Sequence, residues 1–89
     1  MIYKILYDLG SKKKDFDKIP PAIREIIRKA IEKKLTVDPL NFGKPLRYSL
    51  KGYRRLRVAD YRVIYKVEED KVLVIIVDID HRKDIYGVD

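Results

Sequence analysis

The side chains able to do chemistry in this 89-residue chain are arginines, lysines, tyrosines and a single histidine. There is no cysteine, which excludes thiol nucleophiles, zinc ribbons and disulfides, and one histidine cannot build a histidine-based metal site. No glycine-rich loop follows a strand-like run, and the two serines, Ser11 and Ser49, sit in no hydrolase elbow. Guanidinium groups, phenols and one imidazole still suffice to cut RNA, because the RNA 2′-hydroxyl is a built-in nucleophile. A protein must take its proton, stabilise charge on the pentacoordinate phosphorus and protonate the departing 5′-oxygen. Arginine forks match phosphate oxygens bidentately. Tyrosine or histidine can move protons when nearby cations pull its pKa, and tyrosine faces stack on unpaired bases.

The stretch that would position such groups runs from Tyr53 to Tyr65. At period two it predicts a β-hairpin turning at Ala59-Asp60, with Val58 facing Tyr61, Arg57 facing Arg62, Leu56 facing Val63 and Arg55 facing Ile64. One face then carries Leu56, Val58, Tyr61, Val63 and Tyr65; the other carries Tyr53, Arg55, Arg57, Arg62 and Lys66. Like charges directly opposed across strands are destabilising, so Arg57 beside Arg62 makes sense if a polyanion lies there. The formal net charge is +7, and from Lys44 to Lys66 eight cations face Asp60 alone, whereas Lys18 to Asp38 mixes both signs as a solvated helix does.

The remaining elements follow from periodicity. Ile2 to Tyr7 reads as a first strand ending at Asp8-Leu9-Gly10. Ser11 is a plausible N-cap for a short helix through about Lys18, with Phe16 and Ile19 facing the core. Pro20-Pro21 opens a second helix to Leu35, whose Ile23, Ile26, Ile27, Ala30, Ile31 and Leu35 form one apolar stripe, with Glu25 and Lys29 as an i,i+4 pair. Thr36 to Pro45 reads as loop, and Leu46 to Leu50 as a stretch that begins to pair with the sheet. Val72 to Val77 is apolar on both faces and is expected to be a central strand. The order is β-α-α-β-β-β: an α+β domain spanning 1–89, with two N-terminal helices on one face of a largely antiparallel twisted sheet. No apolar run approaches the roughly 20 residues of a membrane span, and no signal peptide is evident. A cytosolic protein with no metal or other cofactor and no membrane partner is the expectation.

Two features remain after the last strand. Asp78 and Asp80 are either a metal pair or, more ordinarily, groups that cap a turn or pair with arginines. In His81-Arg82-Lys83-Asp84-Ile85-Tyr86, a helical turn would put Arg82 and Tyr86 on one face, able to close over Arg57 and Arg62; otherwise Tyr86 packs on the core and His81 is a surface residue.

Three stretches resemble the RelE/ParE superfamily of toxin–antitoxin systems: Pro45-Leu46 through Leu50-Lys51-Gly52-Tyr53, Leu56-Arg57-Val58-Ala59-Asp60-Tyr61-Arg62-Val63-Ile64-Tyr65, and His81-Arg82-Lys83-Asp84-Ile85-Tyr86. The resemblance to its RelE branch implies a RelE-like fold and cleavage of messenger RNA in the ribosomal A site by 2′-hydroxyl attack, without a metal. It implies phosphate and transition-state contacts for Arg62 and Arg82, RNA positioning and catalysis at Arg55, and proton transfer or stacking for Tyr86. RNA contacts are expected at Arg57, Tyr53, Lys51, Arg54 and His81. Better-known members carry a lysine where this chain has Tyr53, which leaves the general base among Tyr86, His81 and a basic residue. The implied partners are the ribosome, mRNA and a RelB-like antitoxin, an acidic and helical protein suited to a basic patch. The rival expectation is a ParE-like member that poisons DNA gyrase without cutting RNA.

Overall fold

A computed structural model describes residues 1–81. Its elements are β1 (Lys4–Tyr7), α1 (Lys13–Asp17), α2 (Pro21–Leu35), α3 (Pro39–Phe42), β2 (Lys44–Pro45), β3 (Arg54–Val58), β4 (Tyr61–Glu68) and β5 (Leu73–Asp80). The strands form one sheet in the order β1-β5-β4-β3-β2, antiparallel except for the parallel β1–β5 pair. This is the expected α+β layering, with a third helix and a fifth strand added. The Arg82–Tyr86 tail lies outside the described residues.

The α2 stripe is the reason the sheet has one dry face. Ile27, Ile31 and Leu35 are fully buried against Leu56, Val58, Val63, Tyr65, Val74, Ile76 and Ile79. Ile26, expected in that stripe, is instead 51% exposed, because it falls on the shoulder of an apolar arc that the sheet covers only at its centre. The ion pairing on α2's outer face also centres elsewhere: Arg28 bridges Glu25 and Glu32, while Lys29 stands 4.0 Å from Glu25.

Three local expectations are corrected. Ser11 does not cap α1. Gly10, at φ +54°, turns the chain early, so Ser11 lies inside a 3-10 turn (Gly10–Lys12) and Lys12 holds the cap position without a side-chain bond. The stretch after α2 is not plain loop. Pro39 occupies the first turn of α3, whose Asn41 amide donates to the Asp38 carboxylate at 3.0 Å. The strand there is Lys44–Pro45, and the pairing expected to begin within Leu46 to Leu50 stops at Leu46, whose amide donates to the Tyr53 carbonyl, before the turn Tyr48–Leu50. Strand β5, expected at the centre, has neighbours on both sides, with β4 at the middle of the five.

A bulge in β5 decides what reaches the open face. The β4–β5 register shifts at Ile64/Tyr65, so that Ile64 opposes Asp78 while Tyr65 opposes Ile76. Ile76 and Ile79 therefore both point to the core, and Asp78 and Asp80 share the face of Ile64 and Arg62.

Candidate functional site

The hairpin carries the register read from its alternation: Val58 opposes Tyr61, Arg57 opposes Arg62, Leu56 opposes Val63 and Arg55 opposes Ile64. The turn at Ala59-Asp60 holds Ala59 at φ +54°. Directly opposed residues share a face, so Arg55, Arg57 and Arg62 stand together on the side of the sheet away from α2. On the neighbouring strand Lys44 opposes Arg55 and extends the cationic row to the sheet edge.

Electrostatics records this crowding. The Arg55 guanidinium is held below its ordinary pKa, first by burial and then by the positive charges of Arg62 and Arg57. Arg57 turns its Nε toward the Ala59 carbonyl at 3.4 Å. Counter-charge comes from the bulged strand: Asp80 opposes Arg62 in the ladder, and buried Asp78 lies 3.9 Å from the Lys12 ammonium. Both carboxylates thus sit beside cations. A row of guanidinium groups that repel one another in the empty protein gains most when a phosphate settles among them.

Arg54 is not part of this row. Alternation sends it to the α2 side, where its guanidinium donates to the carbonyls of Leu40 and Gly43, the latter at 3.0 Å. Beside it the buried Tyr65 hydroxyl donates to the Pro39 carbonyl at 2.6 Å. A Cβ on Gly43 would come within 2.0 Å of that hydroxyl, so only glycine leaves room for it. Arg54 and Tyr65 thus fasten α3 to the sheet, and Arg54 stands apart from the row of Arg55, Arg57 and Arg62.

The remaining candidates separate. Lys51 is exposed and Tyr53 half-buried in the loop between β2 and β3, whose neck is closed by the Leu46 amide donating to the Tyr53 carbonyl at 2.9 Å. His81 leaves the sheet beyond Asp80 and packs its ring against Tyr61, centroids 4.8 Å apart. Those two rings border a cleft of about 380 Å³ with Lys18, Pro20 and Asp80 at the end of the sheet. The structure therefore brings Arg55, Arg57 and Arg62 together, holds His81 on the α2 side of the same sheet end, and leaves Arg82 and Tyr86 outside the described residues. Lys44 escaped sequence reasoning because a two-residue strand shows no period; its one signal was membership of the acid-free run before Asp60.

A basic open face on a five-stranded sheet backed by one long helix is the arrangement of a known toxin class. Residues 11–86 match the model of the ParE toxin of the type II toxin–antitoxin system parDE, and the chain belongs to this family of the RelE/ParE superfamily. It is similar to toxin RelG of Mycobacterium tuberculosis, 36% identical over 74 residues that make up 83% of this chain and 85% of the relative. It is also similar to toxin RelE of the same organism, 32% identical over 82% of this chain and 75% of the relative. Among solved structures, the M. tuberculosis toxin–antitoxin complex RelBE2 contains a chain that superposes with a TM-score of 0.83 at 31% identity, covering 94% of this chain and 95% of that one. The isolated Escherichia coli RelE toxin shares the fold at a TM-score of 0.68 and 20% identity, over 94% of this chain and 90% of that one.

Proposed function

We propose that this type II toxin is a ribosome-dependent RNA endonuclease that cuts messenger RNA in the A site and so inhibits translation. The observation that carries the reading is the opposition of Arg57 and Arg62 beside Arg55, an arrangement unfavourable to the fold and complementary to a phosphate. In this scheme a base takes the proton of the 2′-hydroxyl, whose oxygen attacks the adjacent phosphorus. Arg62, Arg55 and Arg82 stabilise the charge on the equatorial oxygens, and Arg57 holds the strand in register. The 5′-oxygen then leaves with a proton from Tyr86, and a 2′,3′-cyclic phosphate remains. His81, beside Tyr61 on the α2 side of the sheet's end, is the alternative proton carrier if the RNA strand wraps that end. The scheme calls on no metal or cofactor. The M. tuberculosis RelBE2 and E. coli RelBE structures are toxin–antitoxin complexes, which supports a RelB-like antitoxin as partner, drawn to the basic face. Such a toxin works in the cytoplasm, and no helix among the described residues is long and apolar enough to cross a membrane.

A second reading, a gyrase poison that binds without cutting, is favoured by the ParE name of the matching family model. Primer extension on a message translated in vitro separates the two. Ribosome-dependent cuts that vanish in Arg62→Ala and Tyr86→Phe support the nuclease. Intact message together with trapped gyrase–DNA complexes supports the poison.

A further inference from the structure

Tyr48 is 88% exposed, the most exposed aromatic side chain among the described residues, and it sits at φ +59° in the turn Tyr48–Leu50. Left-handed backbone is a place for glycine, so a bulky residue there is held against its own preference. The loop is not slack. The Tyr53 amide donates to the Leu50 carbonyl at 3.0 Å, that of Leu50 to Arg47 at 3.1 Å and that of Lys51 to Tyr48 at 3.0 Å, which holds the backbone that carries the ring. Arg47 and Lys51, both exposed, flank the ring, and Lys44 at the loop's root opposes Arg55 of the cationic row. From residue 39 to residue 59 there is no acidic side chain. An exposed aromatic ring on a hydrogen-bonded loop among cations is what a stacking platform for an unpaired base requires, and the strained backbone at Tyr48 points to a functional reason for keeping it there.

We propose that the loop from Leu46 to Tyr53 is a subsite for single-stranded RNA, in which Tyr48 stacks on a base flanking the cut while Lys44, Arg47 and Lys51 hold the adjoining phosphates. The inference rests on the endonuclease reading and extends its substrate contact from the hairpin to the sheet edge. An acidic peptide would be drawn by the same cations, and antitoxin binding measured beside RNA affinity separates it from RNA.

The test uses the full chain, an uncleavable single-stranded 2′-O-methyl oligonucleotide followed by fluorescence anisotropy, and thermal unfolding. Tyr48→Gly removes both the ring and the strain. It is expected to raise or preserve the melting temperature while weakening oligonucleotide affinity by about 5- to 160-fold, the range for loss of one stacked base. Tyr48→Phe, which keeps the ring, is expected to retain the affinity. Unchanged affinity in Tyr48→Gly overturns the subsite, and if the wild type still cuts ribosome-bound message the endonuclease reading survives that failure. Loss of antitoxin binding with RNA affinity intact also overturns it, in favour of a protein contact. A wild type that neither binds the oligonucleotide nor cuts message removes both readings.

Discussion

At Arg57 and Arg62 two guanidinium groups oppose each other across the β3–β4 ladder, and Arg55 shares their face. Removing Arg57, which the β3–β4 ladder sets against Arg62, should relieve the fold, whereas Arg62 also faces Asp80 on β5: Arg57→Ala is expected to gain about 0.2–1 kcal/mol of stability, the range for cross-strand pairs, measured by urea denaturation. The opposite is expected at Tyr65. Its hydroxyl bonds the Pro39 carbonyl beside Arg54, so Tyr65→Phe should cost about 1–3 kcal/mol by leaving buried polar groups unmatched. Burial also raises the Tyr65 pKa, so the folded chain keeps the phenolic proton when the unfolded chain has begun to lose it near pH 10. The stability held by that proton is therefore complete below about pH 10 and lost as pH climbs through the folded value. Melting temperatures taken across this alkaline range should fall less steeply in Tyr65→Phe than in the wild type. Arg54 teaches a related point. It lies inside a cationic run, yet period two already assigned it to the greasy face, and the density of positive charge concealed that assignment.

Among the elements, the β3–β4 hairpin was legible to the residue because alternation, a turn and a buried face all point to one register. Its turn is nonetheless strained at Ala59, φ +54°, where the sequence has no glycine. Ala59→Gly should stabilise the chain by about 0.5–1 kcal/mol, the left-handed penalty less glycine's entropy, read as a rise in melting temperature. Helix α2 was equally plain, since its stripe extends over four turns. By contrast, α3 and β2 were not legible. They are four and two residues long, too short for a period, and long-range bonds from Arg54 and Tyr65 hold them in place. The β5 bulge was hidden too, because it changes which face Asp78 and Asp80 take without leaving a mark in composition.

For the whole molecule, the +7 charge divides into a mixed outer helix and a basic open face whose row runs from Lys44 to Arg62. Affinity for an RNA strand should therefore fall steeply with salt, by about 0.7 of a logarithmic unit per phosphate contact for each tenfold rise. A titration of oligonucleotide binding from low to physiological salt would check it. Half of the proposed site was legible in the sequence because a sheet turns alternation into a surface. The edge of the row was not, because it is joined only when β2 closes on β3. The central claim is that the fold tolerates opposed arginines for the sake of a phosphate in the reacting state. It is tested most directly by the single-turnover rate of cutting on a programmed ribosome, with Arg62→Ala compared against wild type at matched, verified folding. The expected result is a rate lower by about 100- to 1,000-fold, as for loss of one transition-state donor, in a protein of stability comparable to the wild type, because the repulsion relieved at Arg57 is offset by the partner lost to Asp80. An unchanged rate, or a rate that falls only because the variant is less stable, would contradict the account.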